Sequence, residues 1–435
     1  MLVITIFSIL ILLLIKSSLL NYLILVLFTF IFYLFNFNFF FNSNLRVNLD
    51  FIMNDEISLF MTFLLFFIMY VSYISSRNFN SNKVIGLIFI SLLFFCFQVF
   101  NTIHLFSLYF FYESSLIPIF YIIIKWGSYP ERSLSAIIMI SYTLIFGVPI
   151  FIIIIIIYIN LFSWYMPFII IFKVSHLTTL FIFLCFAVKL PIYGLHYWLP
   201  IAHVEAPTFG SVILARILLK LGGVGLYRLI LLIDIIFIKS FMLRYFILFT
   251  IFRTVVCCFQ SDFKRLIAYS SVAHIIVIPF LIIRNNFLSF QSLIIIILFH
   301  GLSSTLIFIR VGILYNIYSS RQLILIRGLI LISPIIRLFI VLTFFYTLSA
   351  PPFPSFIAEI YFIISSYILS DYLVYIFIPF VLLGLVYNIN WLRRILFRNS
   401  SDLCYFNTHL RYFILLPFIL VILLTLFIIP LFMFF

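Results

Sequence analysis

Apolar runs of about twenty residues, separated by short polar breaks, recur along the whole chain. A helix needs that length to cross a bilayer, and in lipid only helices and closed barrels satisfy their own backbone groups. The runs lie near 2–15, 19–41, 57–74, 84–103, 105–124, 133–158, 177–198, 208–232, 242–259, 265–283, 290–313, 329–349 continuing to 369, 372–391 and 412–434. They predict an all-α polytopic membrane protein of about fourteen transmembrane helices. Composition agrees, since 66% of the residues are hydrophobic and only 8% are charged, against roughly 25% charged in soluble domains. A water-soluble globular protein is excluded. The only extended polar stretches are Phe41–Glu56 and Arg393–Arg411, so one transmembrane domain is expected over 1–435. Its parts are helices 1–3 (1–83), helices 4–8 (84–232), helices 9–13 (242–391) and helix 14 (412–434). Leu2–Ile15 runs through Lys16 into a second apolar stretch without a small-residue cleavage site, and reads as the first span rather than a leader.

The net charge of +14 resembles a nucleic-acid signal, but no soluble surface exists to carry a basic face, and nucleic acid is not expected as a partner. Topology explains the excess. Loops after odd-numbered spans hold Lys16, Arg77, Lys83, Lys125, Arg132, Lys264, Arg265, Arg321, Arg327, Arg393, Arg394, Arg398 and Arg411, whereas loops after even-numbered spans hold only Arg46, Lys173, Arg228, Lys239, Arg244 and Arg284. The positive-inside rule places the odd loops in the matrix or cytoplasm, with both termini on the opposite side. Cys96, Cys185, Cys257, Cys258 and Cys404 contain no Cys-x-x-Cys spacing, so no metal cluster is expected. The 61 Phe and only 12 Gly fit the compositional drift of an AT-rich organelle genome.

Six basic residues, Lys189, Arg216, Lys220, Arg253, Arg310 and Arg337, fall inside the predicted spans, where a charge costs about 2.5–3.5 kcal/mol on insertion scales. Glu113 and Glu359 are likewise flanked by apolar residues on both sides. A structural ion pair, or a shallow position reaching water, would explain either acid as well as proton carriage does. Lys189 stands two residues before Pro191, which cannot donate a backbone hydrogen bond and clashes with the carbonyl of residue 187. A broken helix follows, and such a break is tolerated only where protein or water meets the freed carbonyls. His196 and His203 continue at steps of seven, which on an ideal helix drift by about 20° per heptad. Lys189 and His196 are therefore expected on one face. Lys220, among leucines and isoleucines, can give up its proton more easily than a hydrated lysine. His274 and His300 could extend a relay, because imidazole exchanges protons near neutral pH; a structural role for a lone helical histidine is as good a reading. A second Pro-broken segment, Leu348–Ser355, precedes Glu359. If spans 4–8 and 9–13 are two five-helix repeats, broken helices 7 and 12 hold the same fourth place, the inverted-repeat logic of transporters.

These residues carry a resemblance. The string VKLPIYGLHYWLPIAHVEAP of Val188–Pro207 closely resembles the signature of the chain-4 family of respiratory NADH:ubiquinone oxidoreductase, complex I. FYESSLIP (Phe111–Pro118), KWGSYPER (Lys125–Arg132), LLKLGG (Leu218–Gly223), DFKRLIAYSSVAH (Asp262–His274), HGLSS (His300–Ser304) and APP (Ala350–Pro352) followed by Glu359 match it as well. The resemblance runs from about residue 105 to 360. It implies a proton-pumping, antiporter-like subunit of a mitochondrial inner-membrane complex, with Glu113 and Lys189 as the helix-5 and helix-7 pair, Lys220 as the helix-8 lysine and Glu359 as the helix-12 acid. His196, His203, His274 and His300 would be secondary. It implies no cofactor on this chain, with FMN, iron–sulfur clusters and ubiquinone in other subunits. The implied partners are neighbouring antiporter-like chains and membrane lipids such as cardiolipin.

Three positions depart from the family's pattern. Ile201 stands where lysine is common, Arg216 where a small residue is usual, and Phe259 where an arginine is usual. Arg216 and Lys220 form a like-charge pair expected to ease proton loss from the lysine, and Arg253 is expected to supply the charge missing at Phe259. A multi-subunit cation/proton antiporter is the competing reading on the same fold, and the organelle-like composition argues against it. Cytochrome b would need histidines 13 or 14 apart, and no such spacing occurs. A purely structural scaffold would leave the four buried charges without a reason.

Overall fold

The computed structural model describes residues 56–76, 82–166 save 128, 176–230 save 191 and 193, 249–326 save 285, 319 and 324, 334–367 save 352, and 371–397. The predicted spans at 2–15, 19–41 and 412–434, together with Lys16, Cys404 and Pro191, lie outside the described residues. Among the described residues the regular elements are all helices, and the strand-like features are two isolated backbone bridges, His104 with Tyr165 and Asp262 with Gln322.

The helices, in chain order, are α1 (Glu56–Ser75), α2 (Asn82–Asn101), α3 (Leu105–Ser114), α4 (Leu116–Trp126), α5 (Arg132–Leu161), α6 (His176–Lys189), α7 (Trp198–Glu205) and α8 (Thr208–Ile213). A π-turn over Leu214–Leu218 leads into α9 (Leu219–Ile230). Then follow α10 (Phe249–Cys258), α11 (Phe263–Ile275), α12 (Val277–Arg284), α13 (Phe287–Tyr318), α14 (Pro334–Thr347), α15 (Pro354–Tyr367) and α16 (Asp371–Phe397). Among the described residues, six stretches are long and apolar enough to cross a membrane. Isoleucine, valine and phenylalanine are indifferent helix formers in water; in hydrocarbon the helix is enforced because it satisfies every backbone group.

Within the described residues the predicted spans fall on helices, with amendments. The span at 105–124 is two helices meeting at Ser115, and that at 265–283 is two helices meeting at Ile276. The run from 329 to 369 is divided between α14 and α15. Helix α5 turns an apolar face outward, with Ile137, Ile145, Ile152 and Ile156 exposed, whereas α8, the π-turn and α9 are buried through almost their whole length. The molecule therefore hides a stretch that carries Arg216, Lys220 and Arg228.

Five of the six basic residues assigned to the spans, all but Arg337, are buried. Two more, Arg228 and Lys264, were assigned to loops by the sequence, and this is corrected. Arg228, at the end of α9, donates to the carbonyl oxygens of Val99 at 3.1 Å, Thr102 at 3.0 Å and Phe100, covering the carbonyls that the end of α2 leaves open. Lys264, in the first turn of α11, donates to the Ala206 carbonyl at 2.8 Å. One residue comes from each side of the loop count, so the basic bias keeps its sign.

The two helix breaks close with matching hydrogen bonds. At the end of α6, Leu190 N–H donates to Phe186 O at 3.0 Å and Ile192 N–H to Ala187 O at 3.3 Å, while the Trp198 indole N–H covers the Val188 carbonyl at 3.0 Å. At the end of α14, Leu348 N–H donates to Phe344 O at 2.9 Å and Ala350 N–H to Phe345 O at 3.2 Å, and the Ser355 hydroxyl covers the Tyr346 carbonyl at 3.3 Å. Ser349 takes the left-handed conformation there, with φ of 52°, as the residue after a Schellman-type helix end does.

Candidate functional site

The first charged group forms where α6 ends beside α3. Lys189 Nζ donates to the Tyr112 carbonyl at 2.8 Å, lies 3.1 Å from the centre of the Tyr112 ring, and stands 3.9 Å from Glu113 Oε1. The Ser115 hydroxyl donates to that same carbonyl at 2.7 Å, at the point where α3 gives way to α4. Lys189 is enclosed, with 2% of its side chain exposed, while Glu113 keeps 17%. Gly147 on α5 makes room for the acid: a Cβ there would meet Glu113 Oε1 at 3.2 Å. At 3.9 Å the two charges attract without sharing a hydrogen bond, so small movements of either helix change the pairing steeply.

The second group gathers on α13. Lys220 Nζ lies 2.9 Å from His300 Nδ1 and donates to Ala215 O at 2.9 Å. That carbonyl belongs to the π-turn, whose wider winding alters the pattern of backbone bonds. The rings of His300 and His274 are 6.1 Å apart. Both line a cavity of about 90 Å³ together with Glu359, whose Oε1 accepts from the Ser349 hydroxyl at 2.5 Å. A volume of that size takes several waters. Arg216, fully buried in the π-turn, donates to the Leu302 carbonyl at 3.3 Å, so Lys220 and Arg216 both reach α13.

The sequence-predicted residues thus fall into two sets, Glu113 with Lys189, and Lys220 with His300, His274 and Glu359. His196 and His203 meet other partners. The expected shared face of Lys189 and His196 is corrected, because α6 stops at Lys189 and the seven-residue step does not run on a helix. The Arg253 guanidinium instead meets the His196 ring and lies 5.3 Å from the Tyr269 ring. His203 is fully buried and stacks on Phe308 at 5.0 Å. Arg253 does not replace a charge at Phe259 either, since Arg253 is buried and Phe259 is exposed. Ile201 is partly exposed.

Sequence reasoning passed over Tyr112, Ser349 and Thr343. Tyr112 and Ser349 act through contacts with charged groups at helix ends, and Thr343 holds an arginine, Arg310, at 2.6 Å. For Tyr112 and Ser349 the available signal was position, beside Glu113 and inside the second break; Thr343 had none. Among the described residues, no group of three His, Cys, Asp or Glu is placed to hold a metal ion.

Outside the spans, Arg321 ties the connecting segments together. It donates to Val204 O at 2.7 Å and lies 3.7 Å from the Tyr129 ring. Burial raises the Glu205 carboxyl above the usual carboxylate range, with Arg321 opposing the shift.

Comparison with known proteins gives a consistent picture. NADH-ubiquinone oxidoreductase chain 4 of Chondrus crispus is 34% identical over 353 residues, which cover 77% of this chain and 70% of the relative. The same-named chain of Ceratitis capitata is 33% identical over 326 residues, 73% of each. In fold, the chain superimposes on a subunit of respiratory complex I from Thermus thermophilus with bound NADH at a TM-score of 0.81, with 18% identity, covering 97% of this chain and 94% of the other. A chain of the Mrp complex from Dietzia sp. DQ12-45-1b gives a TM-score of 0.73 at 15% identity, covering 82% and 68%. Residues 102–385 match the transmembrane family described as NADH:quinone oxidoreductase/Mrp antiporter, and these residues contain both charged groups and both helix breaks: the chain belongs to that family, as one of its antiporter-like membrane subunits.

Proposed function

We propose that this chain is a proton-translocating subunit in the membrane arm of respiratory complex I, coupling NADH oxidation and ubiquinone reduction elsewhere to proton movement through its own interior. The observation that carries the reading is the two groups of ionisable side chains inside the apolar helical body, Glu113 with the buried Lys189, and the buried Lys220 with His300, His274 and Glu359. Intramembrane ionisable residues that are paired in this way mark ion pathways. A change arriving from a neighbouring subunit alters the Glu113–Lys189 separation, Lys189 passes its proton to Lys220, and Glu359 exchanges it with the opposite side. Imidazole and carboxyl groups supply the exchange sites between. His196 and His203 are secondary members.

The architecture that goes with this reading has about fourteen helices, with inverted repeats at 84–232 and 242–391 and broken helices 7 and 12. The matching hydrogen-bond patterns at the ends of α6 and α14 support the repeat. Residues 1–83 supply helices 1–3, and 412–434 the last. The chain sits in the mitochondrial inner membrane, with its termini on the intermembrane-space side and its basic loops in the matrix. Antiporter-like subunits flank it, and cardiolipin is drawn to those loops. Flavin, iron–sulfur clusters and ubiquinone belong to other subunits.

The experiment compares proton translocation coupled to NADH oxidation in the assembled complex, wild type against Lys189→Ala. Loss of translocation and coupled turnover with assembly intact is expected. Normal pumping by a normally assembled variant would remove Lys189 from the relay.

A further inference from the structure

Arg310 shares a cavity with relay residues and is not one of them. It projects from α13 into the wall of the cavity that holds Glu359, and is 2% exposed. Its guanidinium carbon lies 4.2 Å from the Trp391 ring centre and 4.5 Å from that of Phe344, and Nη1 donates to Thr343 Oγ1 at 2.6 Å and Ile340 O at 3.3 Å. Two aromatic faces and two acceptors leave the head little freedom to swing. No described carboxylate pairs with it. A guanidinium also keeps its charge in proteins, so this cavity contains a permanent cation in its wall.

The rest of the lining makes that cation significant. Glu359, Ser303, Ser304, Thr347, Ser349 and Asn388 present a carboxylate, four hydroxyls and an amide to one small space. Oxygen donors around a single negative charge are the donor set that hard metal cations take. Resting on the proton-relay reading above, we propose that Arg310 is a specificity-determining residue, which keeps this cavity a path for protons and closes it to sodium ions. The built-in cation supplies the positive charge that a sodium ion would otherwise bring, and it repels an ion entering the same space. A proton escapes this exclusion because it moves by exchange: it bonds to the Glu359 carboxyl, which becomes neutral, and leaves along imidazole and hydroxyl groups without a hydrated cation occupying the cavity.

The test uses closed membrane vesicles bearing the assembled complex, with uptake of radioactive sodium and proton translocation measured together during NADH oxidation. Wild type is expected to move protons with no sodium uptake above background. Arg310→Met is expected to raise sodium uptake about tenfold or more, and the rise is expected to vanish in the Arg310→Met, Glu359→Gln double variant. An assembled Arg310→Met complex that moves protons and takes up no more sodium than wild type overturns the proposal. So does failure of both Arg310→Met and Arg310→Gln to assemble while Arg310→Lys assembles, since the charge would then be a folding element. Absence of proton translocation in wild type would instead overturn the relay reading beneath it.

Discussion

The ends of α6 and α14 close with matching hydrogen bonds and carry opposite chemistry. Each fourteen-residue helix closes with the same two hydrogen bonds and has the carbonyl of its penultimate residue covered by a side chain from downstream. The first ends on Lys189, which finds an acid on another helix, while the second ends on Thr347, beside a hydroxyl–carboxyl contact and a cavity. The backbone interruption is thus a reusable platform, and the residue mounted on it decides what it does. At the first, a cation is held by an adjustable ion pair. At the second, an acid is held by a hydroxyl, with room for water beside it.

The largest effect that could break this comparison comes from the acid of the second platform. Glu359→Gln keeps the shape and a hydrogen bond to Ser349 but removes proton exchange, and coupled translocation is expected to fall about a hundredfold or more; near-normal pumping would leave the second break without its assigned chemistry. Next come the covering side chains. Trp198→Phe leaves the Val188 carbonyl unmet and is expected to cost about 1–3 kcal/mol, whereas Ser355→Ala, losing a longer bond of 3.3 Å, should cost about 0.5–1.5 kcal/mol. Thermal unfolding of the two assembled variants checks the order, and a reversed order would show that the first break does not depend on its indole.

The smallest effect lies outside the membrane. Burial raises the Glu205 carboxyl relative to its value in the unfolded chain, so the folded state binds the extra proton. Stability from this group is present at low pH and is lost as pH rises from the unfolded carboxylate value through the folded one. Glu205→Gln, permanently neutral, should gain melting temperature over wild type as pH rises through that window, by a degree or two. A constant difference across pH 4 to 8 would remove burial as the cause.

Much of this architecture was legible in the chain because lipid makes hydropathy nearly equivalent to structure. Both breaks were visible as well, since Pro191 and the prolines around Phe353 forbid a continued helix. Glu113, Lys189, Lys220 and Glu359 stood out as charges where charge is costly. What could not be read was the direction of helices after an interruption, so the heptad from Lys189 to His196 misled: it assumed a helix that had already ended. Arg228 and Lys264 were misplaced for a related reason. A basic residue at a span's end reads as a loop residue, and only packing reveals that it serves the carbonyls of another segment. The π-turn had no sequence signal at all.

That turn has an angular consequence. An α-helix advances by about 100° per residue, so a single residue's worth of extra winding at Leu214–Leu218 sets the azimuth of everything that follows it. Lys220 faces His300 because of that phase. Delete one residue from the turn and α9 would still be helical, equally apolar and of nearly the same length, yet its lysine would point toward a different neighbour. The part of the sequence that sets the aim of this charge contributes no proton-carrying group of its own.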